Sequence, residues 1–154
     1  MAWPLLAVLL AACSPATPTS SAIASHHADP QAERVKSALA DEFGMAFEPA
    51  GPHHELGKAD DGVQLDLVGV PVEEVVLSLP ADDREVAVAT GLAYLPHLRD
   101  LLHGADPVWD AVAASLACRR DAAADCPGDF AQGNLEARFT GDETEYLVLV
   151  IAVR

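Results

Sequence analysis

The stretch that most constrains the fold stands at the C-terminal end, where Tyr146–Val153 are eight consecutive apolar residues, three of them valine and one isoleucine. As a helix, eight residues rise about 12 Å, well short of the roughly 30 Å hydrocarbon core of a bilayer, so the run is too short to span a membrane. Its β-branched residues favour a pleated strand, and the absence of alternation predicts a strand buried on both faces. Such a strand lies inside a sheet, and the rest of the chain must supply its neighbours.

Those neighbours are legible. Leu135, Ala137 and Phe139 alternate with Glu136 and Arg138, and "TGDET" turns this strand into the last run, which predicts a hairpin. Upstream, Val63, Leu65 and Leu67 alternate with Gln64 and Asp66, and Val75, Leu77 and Leu79 alternate with Glu74, Val76 and Ser78. The "GVP" of residues 69–71 joins these two strands, and Pro80 closes the second. Met45 and Phe47 predict a short strand, while residues 49–62, "PAGPHHELGKADDG", are dense in turn formers and predict a loop.

Helices fill the intervals. Asp29 as N-cap and Pro30 at the first helical position start one in which Val35, Leu39 and Phe43 recur at spacing four, and Gly44 ends it. Residues 82–104 read as a helix from the acidic start Asp82, Asp83 and Glu85, although "EVAVAT" alternates like a strand; Pro96 is expected to break or kink it. A further helix opens at Asp106 and Pro107, faces Val108 or Trp109, Val112 and Leu116 to the core, and ends at Arg119 and Arg120, where cations suit the helix dipole. The order α-β-β-β-α-α-β-β predicts an α+β fold, a single domain with a mainly antiparallel sheet of about five strands and helices on one face.

The chain has 154 residues, which suits one domain with a sizeable core, and only 5% of them are aromatic, so that core is aliphatic. Twenty-four acidic against nine basic residues leave a net charge of −15. Phosphate backbones and anionic lipid surfaces are then repulsive partners, because binding them depends on Lys and Arg, and nucleic acid is excluded as a partner.

The N-terminal end reads differently from the rest. "MAWPLLAVLLAA" carries no charged side chain and meets Cys13, after which "SPATPTSSAIASHH" has no period and little to bury. Leu10, Ala11, Ala12 and Cys13 resemble the lipobox of bacterial lipoprotein signal peptides: aliphatic, small, small, cysteine. The resemblance implies a signal peptide over residues 1–12, cleavage before Cys13, a diacylglyceryl group on Cys13, and a flexible linker over residues 13–28 that joins a membrane to an α+β domain over residues 29–154. It places the protein in the cell envelope, lipid-anchored on the extracytoplasmic side of a bacterial membrane. The three residues before Pro4 include no Lys or Arg, where such signals ordinarily begin with one.

In an exported protein the two remaining thiols, Cys118 and Cys126, are most simply a disulfide closing a small loop. A redox pair would more often be C-x-x-C, and a metal site would need further ligands that no nearby histidine supplies. Acylation of Cys13 leaves these two to pair without a remainder.

No catalytic constellation stands out, and no cofactor motif is present. "GPHHELGKA" is one residue too long for a phosphate-binding loop and has Ala59 where Ser or Thr is required, and "KADDG" lacks the alternating oxygens of a calcium loop. The candidates for a metal are His53, His54 and Glu55, with Asp60 or Asp61, as a surface copper or zinc site; the plainer reading is solvated loop residues. His26 with His27, and His97 with His103, are not spaced to chelate together. Glu73 with Glu74, and Asp82 with Asp83, read as a solubilising surface.

The expectation is therefore a lipid-anchored envelope protein whose domain is a binding or interaction module, with another envelope protein, a polymer or a cationic ligand as partner. A second reading, from a different class, is a small extracytoplasmic hydrolase or metal-dependent enzyme using the loop over residues 49–62; it requires His53, His54 and the nearby acids to converge. A third is a cytosolic chaperone-like module.

Overall fold

Asp29 caps the first helix through its side chain, which accepts a hydrogen bond from the Gln31 backbone N–H at 2.9 Å, and Pro30 occupies the first turn. This helix, α1 (Pro30–Phe43), buries Ala32, Val35 and Leu39 and ends at Gly44, whose φ of 65° is the left-handed conformation that glycine adopts without steric cost. The computed structural model describes residues 29–102, 106–120, 125–140 and 145–154. The signal peptide expected over residues 1–12, Cys13 and the linker expected to residue 28, the His26 and His27 pair, His103, and the body of the "TGDET" turn lie outside the described residues.

After α1 come four strands in a meander, β1 (Ala46–Gly51), β2 (His54–Lys58), β3 (Gln64–Val68) and β4 (Glu74–Pro80). Two helices follow, α2 (Arg84–Leu102) and α3 (Asp106–Arg119), and then β5 (Asp129–Gln132), β6 (Leu135–Thr140) and β7 (Tyr146–Val153). Every strand pairing is antiparallel, and the seven strands lie in the order β1-β2-β3-β4-β7-β6-β5. The apolar run that opened the argument is thus a central strand, held between β4 and β6.

Register sorts the side chains into two faces. Leu65, Leu67, Val75, Leu77, Leu79, Leu135, Ala137, Leu147, Leu149 and Ile151 share the inner face and are all buried. The three helices cover that face: Val88, Tyr94 and Leu98 of α2 and Val112 and Leu116 of α3 join Leu39 of α1 and the sheet in one core cluster. The result is a single α+β domain of two layers, helices on one side of an antiparallel sheet.

Four expectations are corrected. The sheet has seven strands rather than about five. Residues 49–62 are largely a hairpin and not a loop: Pro49 to Gly51 belong to β1, His54 to Lys58 are β2, and the turn between them uses His53 at a φ of 57°. Pro49 is tolerated because β1 is an edge strand, where a missing N–H leaves no ladder bond unmade. The segment after Cys126 also yields a strand, β5, because Gly133 and Asn134 form a two-residue turn in which Gly133 adopts a φ of 61° and Gln132 opposes Leu135. Pro96 does not divide its segment, since α2 runs continuously through it.

The burial of β7 also differs from expectation. Its inner face is covered, but no helix among the described residues lies on the other face, where Val148 and Ala152 are half-buried and Val150 is buried. Among the described residues, neighbouring side chains on adjacent strands shade these positions and no second layer does.

Candidate interaction surface

The outer face of the sheet is composed by register. Leu56 opposes Asp66, Asp66 opposes Val76, Val76 opposes Val150, and Val150 opposes Arg138, forming one row across five strands. A second row carries Lys58, Gln64, Ser78, Val148 and Thr140, and a third carries His54, Val68, Glu74, Ala152 and Glu136. The middle of the face therefore carries a cluster of Val76, Val148 and Val150 beside Ala152, with Glu74 between Val68 and Ala152 at one end and most other charged residues toward the flanks. Tyr146 lies on the same face, 39% exposed, at the end of β7 where it opposes Pro80.

The flanking charges are matched. Lys58 pairs with Glu48, and His54 Nε2 is hydrogen-bonded to Asp66 Oδ1 at 2.6 Å. Arg154 pairs with Glu136, and Arg138 stands directly opposite Asp129. Over β4 to β7 the face is concave, with a hollow of about 460 Å³ over Val150, Ala152 and Ala131, rimmed by Glu74, Glu136 and Arg154.

His53, His54 and Glu55, expected from sequence as a metal site, border one cavity but are not arranged to hold a metal ion. Alternation along β2 sends His54 to the outer face, where it meets Asp66, and Glu55 to the inner side, where both carboxylate oxygens accept from Lys36 Nζ at 3.0 and 2.8 Å. His53 lies in the turn between β1 and β2, and it, His54 and Glu55 all border a cavity of about 250 Å³ that Ala32, Leu67 and Val72 also line. Asp61 accepts from the Val63 N–H at 3.2 Å, as a turn residue. Among the described residues no group of three or more His, Cys, Asp or Glu side chains is arranged to hold a metal ion. His97 is hydrogen-bonded to Glu42 at 3.0 Å and set edge-on to Phe43, joining α2 to the end of α1.

Among the described residues, Lys36 is a cation on the inner side whose pKa is displaced. Burial pulls it down, but the hydrogen bonds and charges of Glu33 and Glu55 outweigh that effect and the pKa is raised. Cys118 and Cys126 stand at disulfide distance, with Cα atoms 5.8 Å apart, tying the end of α3 to the segment that leads into β5. On the loop-entropy account such a bridge stabilises by about 2–3 kcal/mol. Beside it Arg119 is 6% exposed, with its guanidinium 4.1 Å from the centre of the Phe139 ring and Nη1 donating to Ser115 Oγ at 3.3 Å.

Sequence reasoning did not identify the outer face as a surface. The readable sign was β7 itself, whose outward positions are Val148, Val150 and Ala152 where a solvated face ordinarily alternates to polar residues. Fold and surface together define a two-layer α+β domain with one open sheet face. Compared with protein-family models, curated proteins and solved structures, the chain shows no significant match. No helix among the described residues is long and apolar enough to cross a membrane.

Proposed function

We propose that the chain is a lipid-anchored envelope protein, extracytoplasmic in a bacterial cell, whose domain works as a binding module through the open face of its sheet. The anchor is Cys13, acylated after cleavage, and residues 14–28 tether the domain. Support for the anchor comes from the lipobox resemblance of Leu10, Ala11, Ala12 and Cys13, and from the paired state of the other two cysteines. The single observation that carries the binding role is the asymmetry of the sheet. Three helices cover one face, while the other presents a valine cluster with no layer over it among the described residues.

Two measurements test the reading. Intact mass from the membrane fraction is expected to give a chain beginning at Cys13 with added acyl mass; an unmodified full-length chain overturns the anchor. Ser78 projects from the middle of the open face, so Ser78→Cys reports on its accessibility. Maleimide labelling of that cysteine in intact cells is expected to be much slower than in the purified, diluted protein. Equal rates would show that nothing docks there in the cell.

A further inference from the structure

We propose that the partner covering the open face is a second copy of this chain, packed sheet against sheet about a two-fold axis. The inference rests on reading that face as the docking surface, and it identifies the occupant.

Charge is the first argument. The chain carries a net charge of −15, yet the open face opposes most of its charges, Lys58 with Glu48, Arg154 with Glu136 and Arg138 opposite Asp129, while Asp66 is hydrogen-bonded to His54. Asp66 and Glu74 are the acids on this face that no Lys or Arg opposes among the described residues. A cationic partner would find few unmatched carboxylates on this face, whereas a second acidic molecule can approach here with little local repulsion.

Shape is the second. Tyr146 protrudes at one end of β7, and the hollow over Ala152, Val150 and Ala131 lies at the other end of the same face, about 20 Å away at the usual rise per strand residue. A two-fold axis perpendicular to β7 and midway along it carries each Tyr146 over the partner copy's hollow. There Glu74 and Glu136 on the rim can accept its hydroxyl proton. An isologous interface needs this reciprocal match of one feature to another on a single surface.

Size and edges complete the case. Seven strands at about 4.8 Å spacing and strands of about 20 Å make a face of roughly 600 Å² in projection, more once side-chain relief is counted, close to the about 800 Å² per partner of a standard interface. Lateral association is obstructed at both edges, by Pro49 and the bulge beside it in β1 and by the four-residue length of β5.

The test is sedimentation velocity of the full chain carrying Cys13→Ser, which blocks acylation, from about 1 to 100 µM, a range that reveals micromolar association. A species of twice the chain mass is expected. Tyr146→Ala removes the protruding ring and Ala131→Trp fills the hollow; both positions are exposed, so circular dichroism is expected to be unchanged. Each should raise the dissociation constant by about tenfold or more. A chain monomeric throughout the range, or a dimer indifferent to both substitutions, overturns the proposal. If the chain is monomeric while Ser78→Cys stays protected in cells, the second-copy assignment falls and the docking reading stands; if the cysteine is also unprotected, both fall.

Discussion

Tyr94 packs its ring fully inside the core, stacked on Phe43 at 4.2 Å between centroids, and its hydroxyl has no hydrogen-bond partner among the described residues. A buried hydroxyl left unpaired costs free energy, so Tyr94→Phe is expected to stabilise the domain by about 1 kcal/mol. Burial, with smaller contributions from Asp61 and Glu42, also pushes the Tyr94 pKa well above its usual value. The Lys36 pKa is raised too, as Glu33 and Glu55 outweigh its burial. Both groups are held in their protonated forms by the fold. Stability is therefore highest below the unfolded-state pKa values, near about 10, and falls as pH rises through and beyond them, because the fold resists deprotonation of both groups. Urea midpoints measured between about pH 9 and pH 11 should fall, and Tyr94→Phe should flatten part of that fall; a flat wild-type profile would contradict the assignment. Residue identity alone did not disclose how His53, His54 and Glu55 would be used. Their spacing was readable, but whether neighbours converge depends on the pleat, which sends His54 and Glu55 to opposite faces.

At the scale of elements, α2 is the clearest case of packing overriding a local break. Asp83 Oδ1 accepts from the Val86 N–H at 3.1 Å, which caps the helix that its acidic start announced. Ala87, Gly91, Leu95 and Leu98 then recur on the buried side, so "EVAVAT" follows the helical period and not the strand alternation it also fits. Pro96 is exposed on the far side, and its ring and missing N–H are accommodated without dividing the helix. Pro96→Ala is expected to stabilise by about 1–3 kcal/mol, seen as a higher urea midpoint at unchanged slope. The hairpins were less legible. Residues 49–62 contain enough turn formers for a loop, yet only residues 52–53 are needed to connect β1 and β2. In β5 the informative signal was the Gly133-Asn134 dipeptide, a two-residue hairpin connection with few flanking apolar residues to mark it.

For the whole molecule the dominant quantity is charge. At −15 the compact state repels itself more than the extended chain does, and the repulsion between exposed charges is screened by salt. Raising the salt from about 10 to 500 mM should therefore raise the melting temperature by a few degrees, measured by circular dichroism, and an unchanged or lower value would show that paired surface charges dominate instead. By itself the sequence determined the class of the fold and most of its elements, since the caps at Asp29 and Asp83, the helical spacing of Val35 and Leu39, and the alternation in β3, β4 and β6 are local signals carried by neighbouring residues. It also determined the acidic balance and the separation of Cys13 from the Cys118 and Cys126 pair. Only the tertiary structure decided that β7 joins β4 to β6, that among the described residues its apolar run is covered on one side, and that Val76, Val148, Val150, Tyr146 and the hollow over Ala152 share one surface. Those are consequences of the pairing of β4 with β7, distant in the chain, which, unlike the β3–β4 and β6–β7 hairpins, no local pattern encodes.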